Sequence, residues 1–242
     1  MENKSLSNKK IWITGASKGI GASIARKLTK TGATLILSSS STESLRKIMP
    51  EFAEYPKVFF MPFDLKSEEE AKRMYEKIHI TLERVDILIN NAGSGKFAPF
   101  TELTSEDMND MIDTNFKGLF YMTKLILPGM IKEKSGTIIN ILSVVLKKVF
   151  SGSSLYAASK AAVLAMDRSL REEVRQYGIK IVDIFPGATE TDIWKPAQRE
   201  KHGHRMMQPD DVAEAIVNII DLAMNDRLMV EEIVLRPQGG DL

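Results

Sequence analysis

The sequence predicts a doubly wound α/β fold, in which a parallel β-sheet carries helices on both faces. Seven short runs of apolar or β-branched residues recur along the chain, and longer stretches with apolar residues at three- and four-residue spacing lie between them. Runs that are apolar throughout are typical of strands buried on both faces. Strict alternation of such strands with helices implies right-handed crossovers that feed a parallel sheet.

The predicted strands follow in chain order. They are KIWIT (10–14), TLILS (34–38), KVFFMPF (57–63), VDILI (85–89), GTIINIL (136–142), IKIVDIF (179–185) and EEIVL (231–235). Helical spacing is clearest in two groups of apolar residues, which are Ile20, Ile24, Ala25 and Leu28, then Met108, Met111, Ile112 and Phe116. Because no internal repeat or Pro/Gly-rich linker divides the 242 residues, we expect a single domain over 1–242.

One long segment has no clear period. Residues 187–208 read GATETDIWKPAQREKHGHRMMQ, between the sixth strand and the last helical stretch. Long irregular segments in compact folds are usually functional or disordered. We therefore expect residues 188–208 to form a lid over a substrate site.

Composition excludes several classes of function. Lys and Arg total 33 against 32 for Asp and Glu, and a net charge of +1 gives no field that would favour nucleic acid or an anionic membrane. The start, MENKSLSNKK, is polar with no apolar export core, and no apolar run approaches the ~20 residues that span a bilayer. The chain has no cysteine, so disulfides, thiolate metal sites and cysteine nucleophiles are excluded. We expect a soluble, cytoplasmic protein.

A glycine-rich turn joins the first strand to the first helix. It reads Thr-Gly-Ala-Ser-Lys-Gly-Ile-Gly over residues 14–21. In that context glycines let the backbone approach a pyrophosphate, and the amide groups at the helix start favour the anion. A strand-to-helix turn can also require glycine for backbone reasons alone, so the turn by itself leaves a purely structural role open.

A tyrosine and a lysine share one helix face. Tyr156 and Lys160 are separated by four residues in an alanine-rich segment, so their side chains are neighbours. A nearby cation favours phenolate over phenol and is expected to lower the tyrosine pKa from ~10 toward neutrality, where the group can exchange protons. The same spacing is common on ordinary helix surfaces, so its meaning depends on the context.

Two further polar residues are candidates for the same site. Ser143 follows the fifth strand, thirteen residues before Tyr156, and its hydroxyl can donate to a developing alkoxide. A serine that bonds to nearby backbone at a strand end is the alternative. Asn115 lies in a helical stretch, where asparagine is mildly unfavourable unless it has a partner.

These motifs together resemble the short-chain dehydrogenase/reductase family, whose glycine-rich loop has the TGxxxGIG spacing. The resemblance covers nearly the whole chain. It includes Asp64-Leu65 after the third strand, the NNAG segment 90–93 after the fourth, Asn115 in TNFKG, and Pro186-Gly187 with Thr191 four residues on. One departure is at Leu142, where the family usually has a second serine. The resemblance implies a Rossmann-like, NADP(H)-dependent oxidoreductase that interconverts a carbonyl and an alcohol.

The family's functional residues carry over by position. The implied catalytic residues are Asn115, Ser143, Tyr156 and Lys160. The implied cofactor-binding residues are Gly15, Ser17, Lys18, Gly19, Ile20, Gly21, Ser39, Ser40, Asp64, Leu65, Asn91, Ala92, Gly93, Tyr156, Lys160, Pro186, Gly187, Thr189 and Thr191. By the same resemblance, Lys160 also holds the nicotinamide ribose, and Asn115 holds a water that links Lys160 to solvent.

The residues after the second strand bear on the choice of cofactor. NAD-specific relatives have an acidic residue near Ser39, roughly 20 residues past the loop, and here none precedes Glu43. Serine hydroxyls and Lys18 can instead bond a 2′-phosphate, which favours NADP(H). The arginine that many NADP-dependent relatives have near Ser40 is missing, so NAD(H) as a secondary cofactor stays open.

Alternatives from other classes are also open. An NADP(H)-binding redox sensor or scaffold with negligible turnover would need only the glycine-rich loop, and nucleic-acid binding would need a basic patch that the sequence lacks. We expect no metal, because His202 and His204 have no third ligand at metal-site spacing. The family's habit and the apolar residues of helices 105–132 and 153–177 predict a homodimer or homotetramer. The substrate is not determined beyond a small-molecule carbonyl or alcohol.

Overall fold

The structure, a computed structural model, describes residues 6–242. Residues 1–5, the start of the segment that we expect from the sequence to carry no export signal, lie outside the described residues. In the described part, the strands form one seven-stranded parallel sheet in the order β3-β2-β1-β4-β5-β6-β7. The strands are β1 Lys10–Thr14, β2 Thr34–Ser39, β3 Val58–Pro62, β4 Ile87–Asn90, β5 Gly136–Ile141, β6 Ile179–Pro186 and β7 Glu232–Leu235.

Helices cover both faces of this sheet, so the predicted doubly wound fold class is confirmed. They are α1 Gly19–Thr29, α2 Thr42–Ile48, α3 Glu68–Leu82, α4 Ser105–Ile112, α5 Gly118–Glu133, α6 Ser154–Val174, α7 Pro196–His202 and α8 Pro209–Ala223. None of the helices within residues 6–242 has the length and apolar character needed to cross a membrane.

The central strand β1 shows how the two layers arise. Successive strand side chains point to opposite faces, so Ile11 and Ile13 pack under α1 and α8, while Trp12 packs on the other side with residues of α3 and α5. All three side chains are fully buried. Burial on both faces explains why the strands read as continuous apolar runs rather than as alternating patterns.

The structure differs from the predicted elements in two places. The stretch predicted as one helix, 105–132, contains a π-helical turn at Asp113–Lys117 between α4 and α5. π-Helical turns are rare in proteins overall, but those that occur are often found at functional sites. The segment 187–208, predicted to be irregular, contains the seven-residue helix α7, which begins at Pro196. Its sequence is mostly polar and has no apolar residues at helical spacing. The only sequence signal for this helix was Pro196, because proline is common at the first position of a helix.

A chain of polar groups crosses the apolar core beneath α6. Asn90 donates to Asn140 at 2.8 Å, and Asn140 donates to Asp167 at 2.8 Å. Arg171, one turn further along α6, pairs with Asp183 of β6 at 2.9 Å. All five side chains are buried. Two acids and one base therefore lie away from water between the sheet and the helix that carries Tyr156.

Candidate active site

A cavity of about 860 Å³ opens at the carboxyl ends of the parallel strands. The strand order reverses between β1 and β4, and ligands of doubly wound sheets bind in the crevice at such a switch point. Most of the residues that the sequence pointed to line this cavity. They are Gly15, Ser17, Lys18, Gly19, Ile20, Ser39, Ser40, Asp64, Leu65, Asn91, Ala92, Gly93, Ser143, Tyr156, Lys160, Pro186, Gly187, Thr189 and Thr191. Gly21 and Asn115 are not among the lining residues.

The glycine-rich turn needs its glycines for different reasons. Gly15 and Gly19 have φ angles of 63° and 54°, in the left-handed region that side chains disfavour. Gly21 is buried under the turn, and a Cβ there would lie 2.4 Å from the Gly15 carbonyl oxygen. Gly21 therefore lets α1 approach the strand closely, while Gly15 and Gly19 shape the surface that faces the cavity.

The segment after β4 supports the turn from below. The Asn91 amide group donates to the carbonyl oxygens of Thr14 and Gly15, both at 3.0 Å. The Thr14 hydroxyl accepts from the backbone N–H groups of Asn91 and Ala92, both at 3.1 Å. These bonds fix the ends of β1 and β4 relative to each other at the switch point.

Polar side chains lie where the second strand meets the turn. The Ser17 hydroxyl donates to the Ser39 hydroxyl at 3.0 Å. Lys18 projects outward and pairs with Asp192 at 3.0 Å, and Arg199 of α7 pairs with the other oxygen of the same carboxylate, also at 3.0 Å. The sequence did not indicate this ion pair, which links the glycine-rich turn to the segment 188–208.

Helix α6 brings Tyr156 and Lys160 to the cavity wall. Both are buried, with 7% and 4% of their surfaces exposed. The Lys160 ammonium nitrogen lies 5.9 Å from the centre of the Tyr156 ring and donates to the carbonyl oxygen of Ile141 at 2.8 Å. The four-residue spacing thus places the two groups together, as predicted, and β5 anchors the lysine.

The pKa values of the pair differ from the expectation. Burial raises the pKa of Tyr156 to about 12, and a hydrogen bond with Ser143 opposes this rise without cancelling it. Burial lowers the pKa of Lys160 to about 8. The predicted lowering of the tyrosine pKa by its lysine neighbour is therefore wrong for this arrangement, because loss of hydration disfavours both charged forms.

Ser143 lies at the start of the loop that follows β5. Its hydroxyl accepts from the backbone N–H of Val145 at 3.3 Å, the strand-end contact weighed as the alternative to catalysis. The same side chain acts on Tyr156 by lowering its pKa, and it lines the cavity. Its neighbour Leu142 is 3% exposed and packs with Val163, so an apolar side chain occupies the position of the family's second serine.

Asn115 lies behind the cavity, in the π-helical turn. Its oxygen accepts from the Ser94 backbone N–H at 2.8 Å, and its amide group donates to the Ser94 carbonyl and to the Ser159 hydroxyl, both at 2.9 Å. Ser159 lies on α6 next to Lys160. The side chain of Asn115 therefore connects the loop after β4 to the helix that carries the tyrosine and lysine. The water that the resemblance implies at Asn115 stays a prediction.

Aromatic residues that the sequence analysis missed line the cavity beside Tyr156. The Phe97 ring centre lies 5.3 Å from that of Tyr156, and the Trp194 ring stacks on Phe97 at 6.2 Å with 9° between the planes. Both residues sit in stretches without a clear period. A tryptophan in the otherwise polar segment 187–208 was the one available signal.

Comparison with known proteins gives consistent matches over the whole fold. A family model described as short chain dehydrogenase matches residues 9–202. The sepiapterin reductase of Chlorobaculum tepidum is 34% identical over 238 residues, which cover 95% of this chain and 96% of the relative. A metagenomic short-chain oxidoreductase in complex with NADP is 29% identical, with a TM-score of 0.83 over 97% of this chain and 99% of that one. The alcohol dehydrogenase of Thermococcus sibiricus, complexed with 5-hydroxy-NADP, is 29% identical, with a TM-score of 0.85 over 95% and 97%.

Proposed function

The chain belongs to the short-chain dehydrogenase family and is an oxidoreductase of that family, and from this premise we propose that it interconverts a carbonyl and an alcohol with NADP(H), with Tyr156 as proton donor and acceptor. One observation carries the proposal. The glycine-rich turn and the buried group of Ser143, Tyr156 and Lys160 line the same cavity. A protein that only binds a nucleotide has no need of this group at the end of the nucleotide site.

The cavity fits a dinucleotide. Its volume of about 860 Å³ lies in the usual range for cofactor and ligand pockets, ~300–1,000 Å³. The first turn of α1, which contains Gly19 and Ile20, directs free backbone N–H groups toward the pyrophosphate position. Ser39 and Lys18 line the end where a 2′-phosphate would be held. Several solved relatives of similar fold carry NADP.

The chain's own residues then have distinct tasks in carbonyl reduction. When bound in this cavity, NADPH would supply the hydride for the carbonyl carbon and would thereby be oxidised by two electrons. Tyr156 donates its phenolic proton to the carbonyl oxygen, and Ser143 hydrogen-bonds that oxygen as negative charge develops on it. Lys160 in its charged form stabilises the phenolate that remains, and a proton from solvent restores the phenol. For an alcohol substrate the same groups act in reverse.

We expect a preference for NADPH over NADH of at least about tenfold in kcat/KM, equivalent to ~1.4 kcal/mol. Lys18→Ala should reduce this preference, since Lys18 lines the cavity, and Ser39→Asp should reverse it by repelling the 2′-phosphate. Asp192→Asn should increase the preference, because Asp192 competes for Lys18 at 3.0 Å. The measurement is steady-state kcat/KM with each cofactor.

Lys47→Ala is the matched control for removal of a lysine, since Lys47 is an exposed residue on α2 that pairs with Glu43. It should leave the cofactor preference unchanged. A wild-type preference for NADH would show that the assignment of NADP(H) is wrong. The same assay over a broad carbonyl panel separates the enzyme from a sensor, which would bind NADPH without oxidising it.

The segment 188–208 is expected to gain protection from amide hydrogen exchange when NADP(H) and a substrate or product analogue bind. A bridge between Thr189 and Met207 closes its two ends, and the residues between them reach the glycine-rich turn through Thr191, next to Gly19, and through the exposed Asp192. Closure of such a segment over bound ligands excludes water from hydride transfer. Equal exchange with and without both ligands would contradict a role as a lid.

A further inference from the structure

The wall of the cavity next to Tyr156 is apolar and aromatic. The Phe97 side chain keeps 39% of its surface exposed although its ring lies 5.3 Å from that of Tyr156. Apolar side chains from the segments after β5 and β6 line the same cavity, and they are Leu142, Val144, Val145, Phe150, Ile193 and Trp194. A carbonyl whose oxygen faces the tyrosine hydroxyl would therefore have the rest of its molecule against this wall.

Trp194 extends the wall with a second ring in a parallel orientation. The planes of Phe97 and Trp194 are 9° apart and their centres 6.2 Å apart, which is an offset-stacked arrangement. Because the two rings are parallel and stacked, each covers part of one face of the other, and the outer face of the pair is left as a flat aromatic surface. A flat aromatic ligand can cover such a surface, whereas a puckered aliphatic ring contacts it at only a few atoms.

The two rings are held in place by the backbone around them. A Cβ at Gly95 would lie 2.9 Å from Cδ1 of Ile193, so the glycine allows the segment that carries Trp194 to pack on the loop that carries Phe97. The backbone N–H of Ala98 donates to the Gly152 carbonyl at 3.0 Å. These contacts hold the loop that carries Phe97 and let the segment that carries Trp194 pack against it.

We propose that Phe97 and Trp194 form a stacking platform that selects carbonyl compounds with a flat aromatic ring attached to the reacting carbonyl. This inference rests on the proposed function, since it identifies the substrate class of the same site. Phe97 and Trp194 act as specificity-determining residues, through contact with the ring of the substrate and without a part in proton transfer.

The test compares benzaldehyde with cyclohexanecarbaldehyde, which have the same carbon skeleton but a flat and a puckered ring. Wild-type, Phe97→Leu, Trp194→Phe and Trp194→Ala proteins are assayed with NADPH and each aldehyde. We expect Trp194→Ala and Phe97→Leu to lower kcat/KM for benzaldehyde at least about tenfold, mainly through KM, and for the cyclohexyl compound less than threefold. Trp194→Phe should keep most of the selectivity. Because each aldehyde is compared with itself across variants, intrinsic reactivity cancels.

Phe100→Ala is the matched control, since Phe100 is an aromatic residue three positions from Phe97 that is 72% exposed and is not among the cavity-lining residues. It should not change either kcat/KM value. NADPH affinity and the unfolding temperature of each variant check that the site is intact. Equal losses for both aldehydes, or no loss in Trp194→Ala and Phe97→Leu, would overturn the platform.

Binding separates failure of the platform from failure of the proposed function. Titration calorimetry with the NADP⁺-loaded protein compares benzamide with cyclohexanecarboxamide, two amides that carry the ring on a carbonyl carbon and do not react with the cofactor. Tighter binding of the flat amide, lost in Trp194→Ala, would support the platform even if no aldehyde were reduced, in which case the proposed enzymatic function fails alone. Equal binding of the two amides would overturn the platform even if many carbonyls were reduced.

Discussion

Replacement of Tyr156 by phenylalanine is expected to lower kcat for carbonyl reduction ~10²–10⁴-fold, the usual contribution of general acid catalysis. The change removes the phenolic proton but keeps the ring that lies 5.3 Å from Phe97. The affinity for NADP(H) should stay within a few-fold, because the phenol acts on the substrate and the glycine-rich turn binds the cofactor. The measurement is kcat under conditions where chemistry limits the rate, with direct titration of NADPH.

A variant that kept more than about a tenth of the wild-type kcat would rule out Tyr156 as the proton donor. The pH profile gives an independent check on the same group. Tyr156, with a pKa of about 12, stays protonated through the working range, whereas Lys160, with a pKa of about 8, loses its charge near the upper end. We expect kcat/KM for reduction to fall above a pH of about 8. Lys160→Arg, which retains the charge, should extend that limit upward if the variant folds.

Replacement of Arg171 by methionine is expected to lower the free energy of unfolding by ~3–5 kcal/mol, the usual cost of breaking a buried ion pair on one side. Arg171 is 5% exposed in its side chain and bonds Asp183, which is fully buried, at 2.9 Å. Its guanidinium also donates to the carbonyl oxygens of Ile181 and Glu231 at 3.1 and 3.2 Å. Methionine leaves the Asp183 carboxylate in the core without its cationic partner, while the Glu231 carbonyl oxygen keeps its bond from the Asp183 backbone N–H at 2.8 Å. Urea unfolding at neutral pH measures the loss.

The pH dependence of this loss has a definite sign. Burial and the nearby negative charge of Asp183 raise the pKa of Asp167, so Asp167 carries the proton in a hydrogen bond between the two acids. Burial also raises the pKa of Asp183, and Arg171 opposes that rise, so loss of Arg171 would raise the pKa of Asp183 further. Protonation can then neutralise the Asp183 carboxylate that Arg171 no longer pairs. The loss of unfolding free energy in Arg171→Met should therefore be largest at high pH and should become smaller as the pH falls.

Two variants serve as controls for this prediction. Arg175→Met removes an arginine about one turn further on, which pairs with Glu172 and Glu231 at the surface, and it should cost less than ~1 kcal/mol. The double variant Arg171→Met with Asp183→Asn removes the stranded charge and should recover a large part of the loss. A single Arg171→Met variant as stable as wild type would show that the buried pair contributes nothing to folding.

Motifs in the sequence and the family resemblance together pointed to most of the residues that line the cavity. The predicted strand 10–14 agrees with β1 in both bounds, because a short apolar run between a polar start and a glycine turn has one interpretation. The glycine-rich turn and the Tyr156–Lys160 pair also depend on residues within one turn of each other. The helix α7 escaped prediction because seven mostly polar residues carry no periodic signal.

Only the tertiary structure decided which distant groups meet. The partner of Lys18 is Asp192, 174 residues away, and Phe97 stacks on Trp194, which follows a strand two places along the sheet. No local pattern marks these pairs, since they depend on how the loops after β1, β4 and β6 converge at the carboxyl edge. Burial is likewise a property of the whole fold. It raises the pKa of Tyr156 to about 12, whereas the lysine four residues away, considered alone, predicted a pKa below 10. Local spacing therefore determined that Tyr156 and Lys160 lie side by side. Long-range packing determined that Lys18 pairs with Asp192, and burial determined the pKa values of Tyr156 and Lys160.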